Sequence, residues 1–174
     1  ATSDITIGYV GGGSKGWAHT LINDLGRTTD LSGTVRLYDL VYDRAERNAD
    51  LGNWVMDRSA ASGDWEFTAT RTLEGALDDA DFVVISTQDE PAETFVHDID
   101  VPEEYGIYQT VADTVGPGGA FRSLRSVPQY REIAAAIREQ CPDAWVFNYT
   151  NPMSVCTRTL YAEYPDINAV GLCH

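Results

Sequence analysis

The chain has 174 residues, enough for one domain with a sizeable core, and its 43% hydrophobic content with nine Tyr and four Trp is that of a globular protein. Twelve basic residues stand against 27 acidic ones, a formal net charge of −15, and such a surface argues against nucleic acid or membrane as partners because it repels phosphate backbones and anionic lipid. No run approaches the roughly 18 apolar residues of a membrane span, no charged-then-apolar leader opens the chain, and Cys141, Cys156 and Cys173 lack the spacing of a disulfide framework, so they read as reduced thiols of a cytoplasmic protein.

The run Asp4–Val10 reads as a strand, followed by a glycine cluster and a helix from near Trp17. Thr34–Leu40 is a second strand, and Ala45, Ala49, Val55 and Met56 give Asp43–Ser59 a helical apolar spacing. Trp65–Arg71 alternates as a strand, and Asp81–Thr87 is the continuous apolar, β-branched run of a strand buried on both faces. Pro117–Gly119 punctuates, and Val127–Gln140 reads as a helix with Ile133, Ala136 and Ile137 on one side. Ala144–Thr150 and Ile167–Cys173 are two further strands, separated by a helix after Pro152. No repeat, low-complexity tract or flexible linker interrupts this order, so residues 1–174 are expected to form one domain. The alternation predicts an α/β fold: a doubly wound, mostly parallel Rossmann-type sheet of six strands. Ligands of such sheets bind at the carboxyl ends of the strands. Ser86, Thr87, Asn148, Asn151, Cys173 and His174 all fall at such ends.

Gly11-Gly12-Gly13-Ser14-Lys15-Gly16 fits G-x-G-x-x-G between a strand and a helix. In that pattern the first glycine permits the tight turn, the second lets the backbone approach a pyrophosphate, and the third allows close helix–strand packing. The pattern alone is weak, but the second strand ends at Asp39, 23 residues beyond Gly16, where a carboxylate can take the ribose hydroxyls of NAD and repel the extra phosphate of NADP. Gly11, Gly13, Gly16 and Asp39 are therefore candidate cofactor residues, with NAD as the cofactor. A P-loop is excluded, because no Gly-Lys-Ser/Thr stands at the needed spacing.

Three further segments, "DTVGPGGAFRSLRSVP", "CPDAWVFNYTNPMS" and the closing "GLCH", carry a resemblance to glycoside hydrolase family 4, the NAD-dependent glycosidases. The distinctive features are Gly-Pro-Gly-Gly, the Asn-Tyr-Thr-Asn-Pro strand end and a cysteine 22 residues after its last Asn. The family is a known exception to two-carboxylate glycoside hydrolysis. The resemblance implies an oxidation–elimination route. NAD takes hydride from C3 of the sugar, and a divalent metal, usually manganese, polarises the resulting ketone. A base removes the acidified C2 proton, and the glycosidic oxygen leaves C1. Water then adds and the hydride returns, so there is no net redox change.

On the same resemblance, Gly11, Gly13, Ser14, Gly16 and Asp39 match the cofactor site, and Cys173 is the metal-binding cysteine, a role that a soft thiolate suits. His174 stands where the family places the acid on the leaving group, in contact with substrate. Asn151 matches the substrate-binding Asn, and Asp113 the acidic residue that raises the basicity of the catalytic base. Each also has a plainer reading. Cys173 can be a core thiol, His174 a frayed terminus, Asp113 a loop acceptor, and Asn151 a helix cap ahead of Pro152. Cys141 and Cys156 read as structural thiols, and His19 and His97 as surface or packed histidines.

In phospho-sugar members an arginine helps bind substrate at the position aligned with Phe95, and Asp or Asn follows the metal cysteine, where this chain has His174. Both differences point to an unphosphorylated sugar. The run "DIDVPEEYGIYQTVADTVGPGG" is most similar to the α-galacturonidase branch, which is close to α-glucosidases and α-galactosidases. The family's second metal ligand and its tyrosine base are expected beyond residue 174, in a C-terminal substrate domain, and members are typically homo-oligomers. Two other classes stay open on the residues alone. One is an NAD-dependent 2-hydroxy-acid dehydrogenase of the malate/lactate type, although Thr87-Gln88-Asp89-Glu90-Pro91 lacks its substrate arginine. The other is a non-catalytic NAD-binding module.

Overall fold

The structure, a computed structural model, describes residues 3–58, 61–88, 92–109 and 114–173. In chain order it contains β1 (Ser3–Val10), α1 (Trp17–Leu25), β2 (Leu31–Tyr38), α2 (Tyr42–Met56), β3 (Asp64–Thr70), α3 (Leu73–Leu77), β4 (Phe82–Ile85), α4 (Ala92–Glu103), α5 (Gly116–Gln140), β5 (Trp145–Asn148), α6 (Met153–Glu163) and β6 (Asn168–Gly171). The six strands form one sheet in the order β3-β2-β1-β4-β5-β6, and every pairing is parallel. This is the doubly wound Rossmann order, in which the strand sequence reverses between β1 and β4.

Alternation along the strands divides the core in two. Ile7, Tyr9, Val35, Leu37 and Phe67 pack under α1 and α2, through Ala18, Ile22, Ala45 and Ala49. On the other side Val10, Val83, Ile85 and Val146 meet α3, α5 and α6, through Leu77, Ile133, Ile137 and Leu160. Central strands buried on both faces explain the continuous apolar runs. Cys141 and Cys156 lie in this second core. Both are buried, and burial pushes the Cys141 thiol up to about 11. Among the described residues no disulfide forms and no helix is long and apolar enough to cross a membrane.

The structure moves several boundaries. β2 begins at Leu31, not Thr34, and ends at Tyr38, so Asp39 lies just past it. The extra residues pair with β1 because Gly33, at φ +149°, accepts a backbone crossing no side chain could share: a Cβ there would sit 1.9 Å from Ile5 O. Pro117–Gly119 is not a break but the first turn of α5, with Pro117 where the missing N–H costs nothing. The same helix runs on through Pro128, eleven residues later, although an internal proline ordinarily ends a helix. The short helix α3 and α4, across the "ETFVHDID" segment, have no counterpart in the sequence reading. Buried Asp98 ties α4 to α5 through a bidentate pair with Arg125, at 3.1 Å to Nη1 and 2.5 Å to Nη2.

Candidate functional site

The glycine loop leaves β1 by a turn that only glycine can make. Gly11 has φ +88°, and a Cβ on it would lie 2.2 Å from Ser86 O at the end of β4. Its N–H and that of Gly12 both donate to Tyr38 O, at 2.9 and 2.8 Å, so the loop is stitched to the end of β2. Asp39 completes the join: Gly13 N–H donates to its Oδ2 at 3.0 Å, and Val41 N–H to its Oδ1 at 2.9 Å. Carboxylate oxygens hold about four acceptor sites, so two internal bonds leave capacity for a pair of ribose hydroxyls. The third glycine departs from expectation. Nothing lies within 4 Å of a Cβ built on Gly16, which caps the start of α1, and the tight contact with the strand is made by Gly12, whose Cβ would meet Leu37 at 2.8 Å.

Behind the loop stands Asn48 of α2, a residue the sequence reading passed over. Its amide nitrogen donates to Gly12 O at 2.7 Å and Ser14 O at 3.0 Å, and its oxygen faces His19 Nε2 at 3.0 Å. Its one visible signal was an amide on the same helical face as Ala45, Ala49 and Gly52.

The ends of β4 and β5 form the other wall. Thr87 N–H donates to Thr150 Oγ1 at 2.8 Å, and Thr87 Oγ1 donates to Gln129 of α5 at 3.3 Å. Asn148 is fully buried and serves the loop rather than a ligand. It accepts from Tyr130 OH at 2.6 Å and Thr150 N–H at 3.0 Å, and its amide reaches Thr150 O at 3.3 Å. Replacing Asn148 with Ala strands these partners, so stability is expected to fall by about 2–4 kcal/mol, one to two lost buried bonds. Denaturant titration checks this, and a loss below 1 kcal/mol would mean that the loop re-pairs without Asn148.

Between these walls lies a cleft of about 900 Å³, lined by Gly11, Gly13, Ser14, Gly16, Asp39 and Asn151 among others. All five candidate cofactor residues therefore meet the candidate substrate residue in one space. Asn151 does not cap α6, whose N-cap is Pro152 with no side-chain bond. The rings of Trp17 and Tyr149 approach to 4.9 Å between centroids, joining the start of α1 to the Asn-Pro loop. Arg122 of α5 also lines the cleft, with its guanidinium 5.6 Å from the centre of the Phe95 ring.

Cys173 is exposed two residues past β6, outside the lining of this cleft. Among the described residues no group of three or more His, Cys, Asp or Glu gathers as a metal site. Asp113 and His174 lie outside the described residues.

A glycine loop stitched to a strand-end carboxylate, above a cleft at the switch point, is shared with many nucleotide-binding folds, and comparison with known proteins narrows it. The sequence pattern described as family 4 glycosyl hydrolase matches residues 6–174. The chain is 53% identical over 171 residues to an alpha-galacturonidase of Thermoanaerobacterium saccharolyticum, covering 98% of this chain and 37% of that protein. Among solved structures it is similar to the Bacillus subtilis protein LplD, at 50% identity and a TM-score of 0.92, over 98% of this chain and 38% of that one. It is also similar to the 6-phospho-beta-glucosidase of Thermotoga maritima solved with manganese, NAD+ and glucose-6-phosphate, at 25% identity and a TM-score of 0.82, over 98% and 40% of the two chains. The chain thus spans well under half the length of these proteins. With the motifs, the doubly wound sheet and these likenesses in agreement, the chain belongs to the family 4 glycosyl hydrolases.

Proposed function

We propose that this chain is the cofactor-binding part of an NAD- and manganese-dependent glycoside hydrolase that works by oxidation at C3, elimination across C1–C2, water addition and re-reduction. The observation that carries the reading is the join between loop and strand end, where Gly13 N–H and Asp39 Oδ2 stand 3.0 Å apart on the wall of the cleft. When bound there, NAD supplies a hydride acceptor. The chain's own residues bind and orient. The first turn of α1, at the positive end of the helix dipole, faces the pyrophosphate. Asp39 takes the ribose, and Asn151 holds a sugar hydroxyl at the far end. His174 acts as acid on the leaving group and Asp113 supports the base. Cys173 fits as one soft donor to a divalent metal. The described residues do not by themselves complete such a site.

The substrate is an unphosphorylated α-glycoside, an α-galacturonide first. Support comes from the 53% identity to an alpha-galacturonidase and from Phe95 in place of the arginine of the phospho-sugar members. The thiols support a cytoplasmic home, because a reducing compartment preserves them. The full-length protein is read as a homo-oligomer.

The reading is tested with full-length protein by assaying a chromogenic aryl α-galacturonide, with NAD and manganese, beside NADH consumption with a keto acid. Release of the aryl alcohol without net NADH change is expected, and keto-acid turnover alone would favour a dehydrogenase. Asp39→Ala is expected to weaken NAD by about 1–3 kcal/mol, the loss of a hydrogen bond to a charged group, and to narrow the gap between NAD and NADP. Calorimetry of both cofactors measures this, and equal wild-type affinities would remove Asp39 from its role.

A further inference from the structure

Asn48 is 6% exposed, polar, and set in the interior of α2, where asparagine is a poor helix former. Its contacts show what its burial serves. The amide NH₂ donates to two carbonyls of one loop, Gly12 O and Ser14 O. Both donors are thereby used, and the side-chain oxygen accepts from His19 Nε2. The reverse orientation would set the oxygen against two carbonyl oxygens, so the network fixes the amide and assigns the proton of His19 to Nε2. Gly11, Gly13 and Ser14 face the cleft, whereas Gly12 and Asn48 do not line it. One amide therefore grips the back of the loop whose front borders the cleft.

We propose that Asn48, oriented by His19, is a positioning residue for dinucleotide binding: it sets the curvature of the Gly11–Gly16 loop so that the start of α1 meets the pyrophosphate. This rests on the reading that the cleft takes NAD. The physical basis is that a loop whose outward carbonyls are held needs no rearrangement on binding, whereas a loop freed from Asn48 must be ordered by the ligand itself.

The test uses the full-length protein and Asn48→Leu, which keeps the branched shape and the number of heavy atoms but carries neither donor nor acceptor. Calorimetry with NAD is paired with competition binding of adenosine, which occupies the Asp39 end without a phosphate. The expected result is a 10- to 100-fold weaker NAD affinity with adenosine affinity within twofold of wild type. Unchanged NAD affinity, or equal losses for both ligands, would overturn the assignment. If Asn48→Leu does not fold, His19→Leu and His19→Gln decide the matter, because only Gln restores a donor to the Asn48 oxygen. Weaker NAD binding in His19→Leu with near wild-type binding in His19→Gln supports the positioning role, and equal affinities refute it. A wild-type protein that binds adenosine but not NAD would fail the NAD reading itself, and the proposal with it.

Discussion

Gly11→Val in the full-length protein is expected to abolish measurable NAD binding and to lower stability by about 2–5 kcal/mol, the sum of a left-handed backbone cost and overpacking. Two independent constraints meet at this residue. Its φ of +88° is a conformation that β-branched residues almost never adopt. Its Cβ position, 2.2 Å from Ser86 O, is occupied by backbone, which cannot swing aside as a flexible side chain would. Relief requires β1 and β4 to part at their carboxyl ends, or the loop to release the Gly11 and Gly12 bonds to Tyr38 O. Either movement displaces Gly13 from Asp39 and opens the cofactor wall. Denaturant titration and calorimetry give both quantities. Retained NAD affinity would show that the loop tolerates another path, and would weaken the case that this turn builds the site.

Cys173→Ser is the second large effect. In the full-length protein, on the proposed function, it is expected to reduce glycoside cleavage by more than about 10³-fold while NAD affinity stays within twofold. Serine keeps the size but rarely ionises, so it is a poor substitute where a soft thiolate donor is needed. The separation of the two effects follows from the fold. Cys173 follows β6 at one edge of the sheet, and β5 and β4 lie between it and the β1 end that carries the glycine loop. An exposed thiol there can meet a metal and a sugar without touching the pyrophosphate. Full activity of Cys173→Ser at limiting manganese would return Cys173 to an ordinary strand-end thiol.

The strands were the most legible part of the sequence, because a strand buried on both faces leaves an uninterrupted apolar run, as in Phe82–Ile85. Helices that mix few apolar contacts with charge were not. α4 presents exposed Val96 and Val101, and α5 packs against it through the Asp98–Arg125 pair, a contact invisible to any periodicity. Pro128 concealed the length of α5, because proline reads as a boundary even where tertiary packing carries the helix past it. In the site, Gly11, Gly13 and Asp39 were legible because their chemistry depends on spacing along the chain. Asn48 was not, since its role comes from lying across the sheet edge from a loop more than thirty residues earlier. The pattern assigns close packing to Gly16, whereas Gly12 makes that contact against Leu37.

On the proposed function, a dinucleotide bound by this fold takes part in cleaving a glycosidic bond. The most direct measurement is the rate of aryl α-galacturonide cleavage by full-length protein stripped of NAD, with manganese saturating, before and after NAD is restored. No cleavage by the stripped protein is expected, with full recovery on addition of catalytic NAD and no accumulation of NADH. Cleavage at the full rate without NAD would contradict it.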